Sequence, residues 1–299
     1  MQAGSVDRLA PLALEGPRPT RWLREAAHQA RQRPFGAFCA LLIVALIITA
    51  VFAPAIAPYS YKVRAGLQLK GPSTAHFFGT DSFSRDEFSR IVYGARSTVE
   101  VGLGAAALGT LVALTVGVIS GFVGGVLDIV TQRIVDTLMS LPWLVMVLSV
   151  MAFVGSGTTT VILVLGLLMA PGMSRIMRGA TLSIREAAYV DAARATGAGA
   201  WRLILRHTLP NVFAPAMIIG TLAVGNAILA EAALSFLGFG LTPPIPSWGE
   251  MLSSSGRQFM EYAPWLAIFP GLAISITVFA FNMFGDVLRD ILDPRLRNT

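Results

Sequence analysis

Groups that could do chemistry are few along these 299 residues, and their spacing excludes most of what such groups do. Ser156 and His207 are the nearest approach to a nucleophile and a base, and that pair works only within hydrogen-bonding reach. Ser156 sits in a Gly-Ser-Gly turn between two apolar stretches, whereas His207 stands at the start of a later one. At those positions about 30 Å of hydrocarbon separates them. His28, His76 and His207 are scattered, and Cys39 is the single cysteine, so neither a disulfide framework nor a cysteine-based metal site is expected. No G-x-x-x-x-G-K-[ST] run is present, so nucleotide cannot be cradled by that route. What remains is polar groups within or beside apolar runs: Glu100, Glu231, Asn226, Asn282 and Ser235. A carboxylate in mid-bilayer costs roughly 2.5–3.5 kcal/mol on insertion scales, so neither glutamate should face lipid. Glu100 reads as an interface-depth carboxylate. Glu231, followed by the apolar stretch to Phe239, reads as an interior group of a translocation path. Asn226 and Asn282 either bind helices together or line that path.

The elements that must position these groups are transmembrane helices. The chain is 54% hydrophobic and 13% charged, about half the charge of a soluble domain. A helix needs about 20 apolar residues to cross the hydrocarbon. The charge-free run from Thr137 to Ser174 would extend about 57 Å as one helix, too long for one crossing, and Gly155-Ser156-Gly157 divides it. Six spans are expected, at 35–57, 98–124, 131–154, 158–177, 210–234 and 264–287, giving an all-α membrane protein. Gly117, Gly121 and Gly125 recur every four residues, a smooth face for close helix contact.

Sixteen of the 23 Lys and Arg fall on one side of this arrangement and seven on the other. Basic loops stay in the cytoplasm, so both termini are expected there, in a multi-pass protein of the cell membrane. Arginine beside spans accounts for the net charge of +6 without nucleic acid. The expected organisation is an Arg-rich tail at 1–33, a first span and external segment at 34–97, a five-span core at 98–290 and a tail at 291–299. The tail could form an interfacial amphipathic helix from Arg21 to Arg33. Pro243-Pro244-Ile245-Pro246 reads as a stiff external stretch leading to an interfacial Trp248. The hydrophilic loop at 178–207 is alanine-rich, with Gly197 as a C-cap. Held between two spans, a short helix there can act as a lever.

Asp191-Ala192-Ala193-Arg194-Ala195-Thr196-Gly197, nine residues, then His207-Thr208-Leu209-Pro210 resembles the EAA signature of binding-protein-dependent ABC importer permeases. That signature reads E-A-A, three residues, G, nine residues, I-x-L-P, so Asp191 and His207 are departures. The stretch from Glu186, Ala187 and Ala188 to Asn211 is similar to the dipeptide/oligopeptide/nickel branch, as are Phe78–Thr98, Ile228–Leu252 and Gly285–Arg297. The resemblance implies a type I permease of the C type, with an extra N-terminal span. It implies a coupling helix near 184–197 for a cytoplasmic ATPase, a second permease subunit forming a heterodimer, two ATPase subunits that use ATP and Mg, and an extracytoplasmic binding protein. Asp191 would offer a charge to an arginine partner, and Pro210 would restart the helix at a set angle. Such members carry dipeptides, longer peptides, nickel complexes, glutathione or oligosaccharides, and no residue here discriminates among them. From another class, a self-contained channel or ion-coupled carrier, or a non-transporting scaffold, also stays open.

Overall fold

The computed structural model describes residues 34–292, and the regular elements among them are helices. The Arg-rich tail with its expected interfacial helix, and the chain beyond residue 292, lie outside the described residues. In chain order the elements are α1 (Pro34–Val51), a short α2 (Ala53–Ile56), α3 (Glu87–Val123), α4 (Gly125–Met139), α5 (Trp143–Val154), α6 (Thr158–Arg185), α7 (Ala188–Ala195), α8 (Ala200–Leu203), a π-helical turn Ile204–Thr208, α9 (Leu209–Phe236), α10 (Trp248–Met251) and α11 (Trp265–Leu292). Five runs are long and apolar enough to cross a bilayer: α1, α3, α6, Ala200–Phe236 and α11. The bent pair α4 and α5 makes a sixth if it counts as one crossing.

The fold is organised around α3 and α6, which run parallel. Gly109 lies beside Gly166, Gly117 beside Ser174 and Met177, and Gly121 beside Arg178 and Thr181, so the register advances in one direction on both helices. A Cβ at Gly117 would stand 2.6 Å from the Ser174 carbonyl oxygen. Lipid tails are as apolar as leucine, so what holds such a pair is close packing. Gly117 and Gly121 therefore have the role expected of them. Gly125 does not: its φ is +61°, it faces open space and it opens α4. Helix α9 packs antiparallel across α3, with Ile228 and Val224 against Gly102, and α11 follows with Asn282 against Gly225. Helix α1 closes the layer, Gly36 meeting Val287 of α11.

The structure corrects several expectations. The third span is not one helix at 131–154. It is α4 and α5, bent by 86°. Pro142 has no N–H and its ring would collide with the carbonyl one turn back, while Leu141 before it is pushed out of the α region. The helix into the fifth span starts at Ala200, not Pro210, and continues to Phe236. Because Pro210 cannot donate, the turn before it widens: Leu209 N–H bonds to the Ile204 carbonyl in the π turn. Trp248 is buried, not interfacial. Its indole N–H donates to the Ile91 carbonyl at 3.0 Å, with Gly94 making room for the ring.

Residues 57–86 and 237–264 share one end of the bundle, and residues 186–199 occupy the other. Helix α3 begins at Glu87 rather than 98, capped by Asp86, whose carboxylate accepts from Ser89 N–H at 2.8 Å. Its 37 residues extend about 55 Å, more than the hydrocarbon needs, so one end stands clear of it.

Candidate functional site

The segment carrying the EAA-like spacing leaves α6 at Arg185, turns at Glu186 and Ala187, and forms the eight-residue α7. One side chain of α7 is buried, Val190 at 0% exposure, in the same apolar cluster as Phe122, Met177, Leu203 and Ile204. Glu186, Ala188, Asp191, Ala192 and Gly197 are all exposed, and Ala187 and Ala193 are half-buried. Alanines keep the exposed face thin. The helix ends in a Schellman motif: Ala198 N–H bonds to the Ala193 carbonyl at 3.1 Å and Gly197 N–H to the Arg194 carbonyl at 3.0 Å. Gly197 has φ +84°, a conformation that glycine adopts without a Cβ penalty. Asp191 pairs with Arg194 of its own helix at 2.8 Å, the two side chains being 60% and 49% exposed. Leu209 is half-buried and Pro210 exposed at the start of α9.

A groove of about 890 Å³ opens between α4, α5, α6 and α9. Its lining includes Met139, Trp143, Met146, Met169 and Met173, with Asn226 as the one amide. Thioether side chains are unbranched and adaptable, suited to surfaces that meet varied apolar groups. Glu231 is not among the lining residues. It is 1% exposed, and one oxygen, Oε1, accepts from Ser235 at 2.6 Å and Ser247 at 2.7 Å. It thereby fastens the chain after α9 back onto α9. Asn282 packs at the α9–α11 contact. Glu100 is exposed on α3, one turn from exposed Arg96. The structure thus brings Asn226 to the groove and places Glu231 and Asn282 at helix contacts.

Several polar residues were invisible to sequence reasoning. Asp81 is fully buried and accepts from Phe83 N and Arg85 N at 2.8 Å, from Arg85 Nε at 2.6 Å and from Arg90 Nη1 at 2.5 Å. Arg90 also donates to Glu250 at 2.7 Å. At the other end Arg178 makes two hydrogen bonds to Asp128, and Arg175 pairs with Asp136. Beyond the local bonds from Phe83 and Arg85, these partners lie nine to 160 residues apart, and no local pattern announces them. Among the described residues no three His, Cys, Asp or Glu side chains gather as metal ligands.

Residues 113–298 match the model of the binding-protein-dependent transport system inner membrane component. The chain belongs to that family. Residues 20–72 further match the N-terminal transmembrane domain of oligopeptide transport permease C. This permease is 39% identical to the dipeptide transport system permease protein DppC of Alkalihalophilus pseudofirmus over 92% of this chain and 90% of that one. It is 38% identical to the glutathione transport system permease protein GsiD of Pectobacterium atrosepticum over 86% of each chain. It is 37% identical to GsiD of Escherichia coli over 93% and 92%. Among solved structures, a chain from inward-facing conformations of the MetNI methionine ABC transporter shares the fold, with a TM-score of 0.58, 19% identity, and coverage of 68% of this chain and 96% of that one. The permease is an all-α, multi-pass inner-membrane protein of the ABC importer class. The family works with a binding protein and an ATPase supplied as separate components.

Proposed function

We propose that this permease moves short peptides into the cell and receives its power stroke through α7. Dipeptide and glutathione, the cargo in its relatives' names, are both short peptides, and this supports the substrate class. The observation that carries the coupling role is α7 itself: an eight-residue helix with one buried anchor, Val190, and an exposed face of alanines and charged residues that also bears Tyr189. A partner's groove can admit such a helix, and a load on it passes through Val190 and the short Glu186-Ala187 turn into α6. Charge bias favours that end as cytoplasmic, which would put both chain termini inside and residues 57–86 and 237–264 outside, facing the binding protein. A homologous permease would complete the passage as a heterodimer, and two ATPase subunits would bind ATP and Mg. Closing on ATP, they would drive alternating access. Asn226, exposed and alone as an amide in the apolar groove, is suited to hydrogen-bond a passing peptide group, which the rest of the lining would leave unpaired at a cost.

The test uses the assembled importer in proteoliposomes. With Cys39→Ser as background, Ala192→Cys should cross-link to the ATPase, and the yield should change when ATP is added. Gly197→Pro and Asp191→Arg should each uncouple ATP hydrolysis from peptide uptake while insertion stays intact. No cross-link, together with normal uptake by both variants, would overturn the coupling role.

A further inference from the structure

Helix α4 is suspended between two hinges. Gly124 and Gly125 at its start have φ of +71° and +61°, a region that glycine enters without strain. Pro142 breaks the chain at its far end, and α5 departs at 86°. Between the hinges Val135 is the one buried side chain, while Val126, Ile129, Val130 and Ile134 are exposed. Packing therefore does little to fix this arm.

Charge fixes it instead. Arg178 Nε and Nη2 donate to the two carboxylate oxygens of Asp128 at 2.6 and 2.5 Å, and Arg175 Nη2 donates to Asp136. Such a two-pronged contact sets orientation as well as distance. The acids are eight residues apart and so share one face of α4; the arginines are three apart and share one face of α6. Near the first hinge, Arg185 Nη1 reaches the Gly121 carbonyl at 3.4 Å and lies where a side chain at Gly124 would have to go. Gln132 stands between Asp128 and Asp136 on the acid-bearing face, and its Nε2 is buried without an acceptor. This interface is held by its ion pairs and not by a completed polar network.

We propose that Asp128 and Arg178 are positioning residues for transport, making α4 follow α6. Helix α6 runs into the turn before α7, and the end of α4 supplies Leu138 and Met139 to the groove wall. Helix α6 lines the groove itself through Met169 and Met173, and motion at α7 would reach the opposing α4 wall through one carboxylate–guanidinium pair, with Arg175 and Asp136 as a second, more exposed tie. The proposal rests on α7 being the ATPase contact.

The assembled importer in proteoliposomes tests it. Arg178→Asp and Asp128→Arg should each lower peptide uptake by about tenfold while ATP hydrolysis changes by less than about twofold, and the double swap should restore about half of the uptake. Should the reversals fail to assemble, Arg178→Lys and Asp128→Asn preserve size and remove the two-pronged contact. They should lower uptake by about threefold at unchanged hydrolysis. Uptake and hydrolysis falling in proportion, normal uptake in the single variants, or a double swap no better than either single would overturn the proposal. The Ala192→Cys cross-link is read on the same complexes. Its presence with an unrescued swap overturns the α4–α6 tie alone. Its absence with a rescued swap overturns the coupling contact and leaves the tie standing.

Discussion

At the end of the bundle bearing residues 57–86 and 237–264, acids and bases are paired inside the protein. At the opposite end, α7 carries its charges on the surface and is held by one valine. Asp81 and Asp86 are buried and saturated by arginine, serine, histidine and backbone donors. Arg90 carries that network to Glu250, Trp248 bonds to α3, and Phe78 stacks on Phe269 of α11 with centroids 3.9 Å apart. Residues 57–86 have almost no regular structure, yet α3 and α11 hold them. The difference separates two ways of being a loop: one end is closed on itself, the other presents a face for something else to complete.

The largest expected effect tests the closed end. Arg90→Ala would remove the guanidinium shared by the buried Asp81 and the mostly buried Glu250. Breaking a buried pair from one side costs about 3–5 kcal/mol when the charge left behind has no other partner, and because Arg85 still pairs with Asp81 the loss should stay below that. Thermal unfolding of the detergent-solubilised protein should show a marked drop in Tm, with early protease cleavage within 57–86. An unchanged Tm and unchanged cleavage would mean that these ion pairs do not hold the segment.

Much of this contrast was hidden from sequence, for a physical reason. Asp81 and Asp86 count as ordinary surface charges until the fold supplies Arg90, Ser89 and His76, and Glu250 meets Arg90 from 160 residues away. Hydropathy located the spans, because crossing lipid demands a long apolar run, and it found the Gly155-Ser156-Gly157 turn between α5 and α6. It missed the break at Pro142, since Ser140-Leu141-Pro142 lies within a charge-free run and dilutes its hydropathy very little. The α7 segment was legible because its determinants are local. Gly197 and Ala198 end the helix by donating to the Arg194 and Ala193 carbonyls, all within five residues.

An intermediate effect sharpens the open end. Val190→Ala removes two buried methyl groups, at about 0.8 kcal/mol each, from the one side chain that roots α7. Because the rest of α7 is little buried, the loss should stay local. Hydrogen exchange across 188–195 should speed up while α3 and α6 remain protected, and uptake should fall with Tm nearly constant. A global drop in Tm would mean that α7 is part of the core and not a docked arm.

The smallest stability effect is the most discriminating. Asp191→Asn removes the surface pair with Arg194, whose two side chains are both about half exposed; such pairs contribute about 0.2–1 kcal/mol. Tm should move by little more than experimental scatter, and salt should weaken the pair further. A change of that size cannot unfold a bundle packed at Gly109, Gly117 and Gly121. If peptide uptake nevertheless falls several-fold, the lost free energy must lie in a contact absent from the isolated chain, and Arg194 would then be left to compete for the partner's acids. If uptake stays at the level of the unmodified importer, the charge at Asp191 serves only its own helix, and the docking face must depend on the alanines and Val190.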